Sequence, residues 1–212
     1  CIVGPQPDEA MDVIEARAAR LGAPLMAYGQ HWHVWEERGR LIYQDEHGLR
    51  DLPLPRLIGH HQIINAGAAI AALRQLGVDD AALEAALTDA YWPARMQRLA
   101  TGPLTDAAPK AELWLDGGHN PAAGIALAEA LDRLPRRPTY MVCGMLNTKD
   151  VGGYLKPLAR HAERLYAVSI PDAQATLPAS ATAEAAREDG MDAVESESVL
   201  TAVQEIVSAA PE

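Results

Sequence analysis

Leu113-Trp114-Leu115-Asp116-Gly117-Gly118-His119-Asn120-Pro121 is the stretch that decides how this chain folds. Three apolar residues read as a strand and two glycines as a tight turn. Pro121, with its fixed φ and missing N–H, suits the first position of a helix that the spacing carries to Leu134. A strand that feeds a helix through a short turn opens a strand–helix–strand unit. The downstream sequence continues it, with a strand over Thr139–Cys143, a helix near Tyr154–His161, a strand over Arg164–Ser169, a helix near Ala179–Glu188, a strand over Ala193–Glu195 and a last helix from Ser198. This alternation predicts an α/β domain, Rossmann-like, with a mostly parallel sheet flanked by helices.

Upstream of Trp92-Pro93 the pattern differs. Cys1–Val3 reads as the end of a strand, and Asp8 opens a helix with Ala10, Val13, Ile14, Ala18 and Leu21 on one face, stopped by Gly22. Trp32, Val34 and Trp35, then Leu41, Ile42 and Tyr43, flank Glu37-Arg38-Gly39 as a hairpin with a further edge strand. Leu57–Leu76, dense in alanine and aliphatic residues, predicts a helix buried on several sides, and Asp79 caps another that reaches Ala90. The first segment is therefore mixed α and β, and the domains are drawn as 1–93 and 94–212.

Composition narrows the function. A formal charge of -11 over 212 residues disfavours a phosphate backbone as partner, so nucleic acid is not expected. Arg136 and Arg137, the one adjacent basic pair, sit between prolines in what reads as a solvated turn. Two cysteines, Cys1 and Cys143, are too few for a disulfide framework and fit a reducing, cytoplasmic compartment. No apolar run reaches membrane-spanning length, and the N-terminal residues lack the pattern of a secretory signal. A start at Cys1, inside an apparent strand, predicts a chain cut from a longer one.

Chemistry is expected where parallel strands end and helices begin, because unpaired N–H groups and the helix dipole favour anions there. In the turn after Leu115, Asp116 can accept hydrogen bonds from ribose hydroxyls, and His119 can meet a phosphate or carry a proton. The plain alternative is that Asp116 and Asn120 cap the helix while His119 is an exposed turn residue. In Gly144-Met145-Leu146-Asn147-Thr148-Lys149-Asp150, Lys149 can neutralise a carboxylate or phosphate, or simply be solvated beside Asp150. In Gly59-His60-His61-Gln62-Ile63-Ile64-Asn65-Ala66, His61 and Asn65 share a helix face, and Asn65 can pair its amide with the edge of an adenine or serve the helix structurally. The histidine pair has no acidic or cysteine partner at ligand spacing, so no metal is expected in this chain. Arg95, within Tyr91-Trp92-Pro93-Ala94-Arg95-Met96-Gln97, can clamp a phosphate or form a salt bridge.

Together these stretches resemble the Mur ligase superfamily, most closely folylpolyglutamate synthase and dihydrofolate synthase. Gly59–Ala66 is similar to its Gly-x-His-Gln-x-x-Asn-Ala, Trp92–Gln97 to its Trp-Pro-Gly-Arg-Met-Gln, Asp116–Pro121 to its Asp-Gly-Ala-His-Asn-Pro, and Gly144–Asp150 to a later Gly-x-x-x-Asp-Lys-Asp loop. Ala94, Gly118 and Thr148 depart from that pattern. The resemblance implies that residues 1–93 are the trailing part of a central ATPase domain. It also implies ATP and Mg2+ as cofactors, and an acyl phosphate formed on folate or dihydropteroate that the amino group of L-glutamate attacks. Asn65, Arg95 and Asp116 are then the ATP contacts, with His119 and Lys149 as candidate catalytic groups and the protein a monomer.

The resemblance also implies segments that this sequence does not contain. No Gly-x-x-x-x-Gly-Lys-Ser/Thr phosphate loop occurs, nor a closing Gly-Ser-Leu-Tyr strand, and the chain is expected to be an internal-to-C-terminal fragment that is inactive alone. The magnesium ligands are expected upstream. Two rivals stay open: a Mur-type cell-wall peptide ligase and a noncatalytic Rossmann-like nucleotide-binding module.

Overall fold

The computed structural model describes residues 1–209, so the expected domain end at Glu212 lies outside the described residues. The chain divides into two compact units, Cys1–Trp92 and Pro93–Glu212.

In the first unit, β1 (Ile2–Val3) and β2 (Met26–Ala27) pair in parallel on either side of α1 (Asp8–Leu21). Gly22, at φ 63, ends that helix by donating its N–H to the carbonyls of Ala18 and Ala19, a left-handed cap that glycine adopts without strain. β3 (Trp32–Glu37), β4 (Arg40–Asp45) and β5 (Gly48–Pro53) form an antiparallel meander. Alternation puts Trp32, Val34, Leu41, Tyr43 and Leu52 on one buried face, against Ile63, Ile70 and Ala71 of α2 (His60–Gln75) and Leu83 of α3 (Asp80–Asp89). Close approach is possible because Gly67 has no Cβ; one placed there would lie 2.5 Å from Val34 Cγ1. At the rim of this core Arg74 Nε donates to Asp45 Oδ2 at 2.7 Å, with 12% and 3% of the side chains exposed, and the guanidinium lies 5.9 Å from the Tyr43 ring centre. Burial, then the Asp45 charge, holds the Tyr43 phenol well above its ordinary range.

α2 begins at His60 rather than at Leu57, because Gly59 takes φ 119 and breaks the helical path before it. Asp79 does cap α3, its side chain accepting from Ala82 N at 2.8 Å.

The second unit runs β6 (Gln97–Leu99), α4 (Pro103–Ala107), β7 (Leu113–Leu115), α5 (Pro121–Asp132), β8 (Tyr140–Cys143), α6 (Val151–Leu155), a 3-10 segment (Lys156–His161), β9 (Arg164–Ala167), α7 (Ala179–Glu188), β10 (Ala193–Glu195) and α8 (Val199–Ala209). The parallel sheet has the order β10-β9-β8, while β7 pairs antiparallel with β6 in a sheet of its own. A sequence reading that passed straight from β7 through α5 to a parallel partner is corrected on this point: α5 joins β7 to β8, and the two strands are not hydrogen-bonded to each other. A single helix near Tyr154–His161 is also corrected. Asp150 caps a short α6 that starts at Val151, and Pro157, which has no N–H to donate, lies where the chain tightens into 3-10 turns.

The core of this unit gathers Leu155, Leu158, Leu165, Ala167, Ala183 and Ala186 between the sheet and its helices. Cys143 belongs to it, and burial pushes its thiol up to about 11, an inert thiol at neutral pH. Among the described residues no helix is long and apolar enough to cross a membrane.

Candidate functional site

The candidate residues fall in both units. Arg95, Asp116, His119 and Lys149 belong to the second, where two loops are laced together. Asp116 leaves the end of β7, and its carboxylate accepts two backbone N–H groups, from Met96 at 2.9 Å and from Gly118 at 2.7 Å. In return Gly117 N–H donates to Ala94 O at 2.9 Å, and Ala94 N–H donates to the Gln97 side chain at 3.0 Å. These bonds hold two non-glycine residues, Ala94 at φ 55 and Met96 at φ 43, in the left-handed region. Met96 turns its side chain inward, 5% exposed, and Arg95 is left on the surface.

Arg95 donates from one terminal nitrogen to Ala94 O at 3.0 Å and has no carboxylate partner among the described residues. The same nitrogen lies 3.0 Å from where a Gly117 Cβ would be, so the guanidinium rests over the glycine turn. Its remaining N–H groups are free to take an anion. His119 is exposed, with Nδ1 2.9 Å from Gly117 O; a carbonyl can only accept, so that nitrogen is the donor. Asn120 caps α5 by accepting from Ala123 N at 2.9 Å, which settles one part of the capping alternative. Asp116 is not the cap; it ties the two loops.

The loop after β8 adjoins this turn. A Cβ on Gly153 would meet Pro121 Cγ at 2.7 Å, and one on Gly118 would meet the Tyr154 ring at 3.0 Å, so the first turns of α5 and α6 are in contact. Asp150 caps α6 by accepting from Gly153 N at 2.9 Å. It makes no ion pair with Lys149, whose half-buried side chain has no hydrogen bond or ion pair among the described residues. Tyr154, which the sequence reading did not single out as a site residue, lies under the turn. Burial first, and then the nearby Cys143 and Asp116, keep its phenol protonated far above neutral pH.

Asn65 lies in the first unit, exposed on α2 at the rim of an apolar pocket of about 230 Å³ between α2 and α3. Ala66, Ala69, Ile70 and Leu73 line its α2 side, and Leu57 of the preceding loop adds to it. The Asn65 Nδ2 donates to Gln62 Oε1 at 3.2 Å, and the Gln62 Nε2 lies 2.9 Å from His61 Nε2. Gln62, buried at 6% exposure, was read only as part of a motif; its bonds to both neighbours were not legible from spacing. Gly59 is what admits the His61 ring, since a Cβ there would come within 2.6 Å of it.

Among the described residues no group of three His, Cys, Asp or Glu side chains could hold a metal ion.

The chain is 26% identical over 184 residues to the folylpolyglutamate synthase of Lacticaseibacillus casei, which covers 80% of this chain and 40% of that protein. It is 38% identical over 97 residues to a probable bifunctional folylpolyglutamate synthase/dihydropteroate synthase of Halobacterium salinarum, covering 45% of this chain and 11% of that protein. Among solved structures, Mycobacterium tuberculosis folylpolyglutamate synthase complexed with ADP superposes with a TM-score of 0.84 at 25% identity, covering 97% of this chain and 47% of that one. E. coli FolC in complex with DHPP and ADP gives 0.79 at 25% identity, covering 94% and 45%. The chain thus spans less than half the length of these relatives. The family described as Mur ligase, glutamate ligase domain, matches residues 94–212, over half of the sequence, and the chain belongs to that family.

Proposed function

We propose that this chain is part of an ATP-dependent ligase that joins L-glutamate to the carboxylate of a folate or of dihydropteroate. ATP passes its γ-phosphoryl group to this carboxylate and leaves as ADP; the glutamate amino group then attacks the acyl phosphate, expelling phosphate and giving up a proton as the amide forms. The observation that carries the reading is the laced pair of loops. Asp116 fixes Met96 and Gly118, and Arg95 is thereby held over the glycine turn with donors to spare. Phosphoryl transfer is governed by positioning and charge neutralisation, and a preset guanidinium on a rigid turn supplies both. The names of the relatives, and their complexes with ADP, support the same substrate class.

In this reading residues 1–93 are the trailing part of the ATP-binding domain and residues 94–212 the glutamate ligase domain. Arg95 and Asp116 contact ATP, Arg95 through phosphate and Asp116 through the free lone pairs of its carboxylate, and Asn65 contacts the base. His119, exposed and tied through Nδ1 to Gly117 O, receives a proton from the attacking amine, and Lys149 neutralises a carboxylate. The chain alone is inactive, because its sequence has no phosphate loop to cradle the β and γ phosphates, and magnesium is held by residues outside it. The whole protein works as a cytoplasmic monomer on small molecules.

Titration of the full-length protein with ATP tests this. Arg95→Ala removes a charge-assisted contact of about 1.5–3 kcal/mol, so ATP binding weakens on the order of 10- to 100-fold. The fold is retained, since Arg95 bonds only to its own loop. Unchanged affinity rejects the role. Activity with dihydropteroate or tetrahydrofolate, set against UDP-linked sugar peptides, decides the acceptor.

A further inference from the structure

Gln62 lies within the first turn of α2, buried, with both ends of its amide in use. Its nitrogen can only donate, so the His61 Nε2 at 2.9 Å is the acceptor. Its oxygen can only accept, so it takes one N–H of Asn65, at 3.2 Å. With the Gln62 oxygen facing it, the second amide can bond only through its nitrogen. Asn65 turns its nitrogen toward Gln62 and keeps one N–H and its carbonyl oxygen, side by side, for whatever reaches the pocket rim.

We infer that Gln62 is a positioning residue that fixes the direction of the Asn65 amide and so selects a 6-aminopurine at this site. This rests on the reading of Asn65 as the base contact. A donor beside an acceptor complements the purine edge that has N7 as acceptor and a 6-amino group as donor. A 6-oxopurine offers two acceptors on the same edge and sets its oxygen against the Asn65 carbonyl. Released from Gln62, the Asn65 side chain can turn and shift, and the penalty against the oxo base falls. The apolar lining of Leu57, Ala69, Ile70 and Leu73 suits the ring but cannot tell the two bases apart.

The experiment uses the full-length protein, with KM and Kd measured for ATP and GTP. Gln62→Met keeps the volume and removes both bonds; the ATP:GTP preference falls on the order of tenfold, carried by KM while kcat at saturating ATP stays near that of the parent. Gln62→Glu keeps the acceptor for Asn65, and His61 can meet the new carboxylate by changing tautomer, so the preference is retained. A loss of folded protein lowers the signal with both nucleotides alike and leaves their ratio untouched. The inference is overturned if Gln62→Met keeps the full preference, if Gln62→Glu loses it, or if the parent protein shows none. Asn65→Ala separates the two levels: if it leaves ATP binding intact, the base-contact reading itself fails, whereas weakened binding beside an unmoved Gln62→Met ratio sinks only the positioning role.

Discussion

Ala94 occupies a backbone position that an L side chain resists, and replacing it with glycine stabilises the second unit. At φ 55 its Cβ crowds the following carbonyl, at a cost of about 1–2 kcal/mol for a non-glycine residue. Glycine removes that cost but adds chain entropy to the unfolded state, worth about 0.4–1 kcal/mol in the opposite sense. Nothing else is lost, because the Ala94 N–H and C=O keep their bonds to Gln97, Arg95 and Gly117. Ala94→Gly therefore gains about 0.8 kcal/mol, the difference between the midpoints of those two ranges. Met96, at φ 43, poses the same backbone problem, yet its side chain is buried, and cutting it back to glycine forfeits about 2–5 kcal/mol of packing. The two substitutions thus move stability in opposite directions. Urea unfolding followed by amide hydrogen exchange in β6 to β9 reads this unit separately, and with a slope of about 1–3 kcal/mol/M the gain appears as a rise of a few tenths molar in the midpoint. A midpoint that drops for Ala94→Gly, or rises for Met96→Gly, refutes the claim that backbone strain at this loop is held against its preference.

In the first unit Arg74→Met strands the buried Asp45 carboxylate and costs about 3–5 kcal/mol. Adding Asp45→Leu recovers most of it, as a double-mutant cycle in urea checks. Gly124→Ala drives a methyl to 2.3 Å from the Tyr154 carbonyl oxygen, a backbone atom that cannot step aside, so α5 lifts from α6. At least about 1–3 kcal/mol is lost, visible as a lower thermal midpoint. His161 has its pKa lowered, first by burial, so the folded state binds its proton less readily than the unfolded chain. Its contribution is fully present above about 6.5, the unperturbed value, and declines as pH falls below it; replacement by Gln flattens the acid limb of the stability curve, and an unchanged limb rejects the assignment.

Much of the fold was legible because its signals are local. Gly22 and Asp79 act within a turn of themselves, the Trp32–Tyr43 alternation lies within one hairpin, and Ala179–Glu188 has an unbroken helical pattern. What escaped depends on partners distant in sequence. Gln97–Leu99 is too short for alternation to register, and becomes a strand because Leu113–Leu115 pairs with it. That pairing also explains why β7 lies apart from the parallel sheet. For the candidate site, the sequence picked Asp116 and Arg95 as chemical groups without indicating that the carboxylate binds the Met96 amide twenty residues away. Asn120 was legible as a cap from its place before Pro121. The chain from His61 through Gln62 to Asn65 was not, since helical spacing gives a shared face but never the direction in which an amide points.

The contact made at Gly124 has a mechanical consequence. With no side chain between them, α5 and the carbonyl of Tyr154 on α6 touch directly, so neither helix can slide without carrying the other. A push delivered to the turn at Asp116 is transmitted to the segment around Asp150 with little compliance, so the two loops move as one wall rather than two independent flaps.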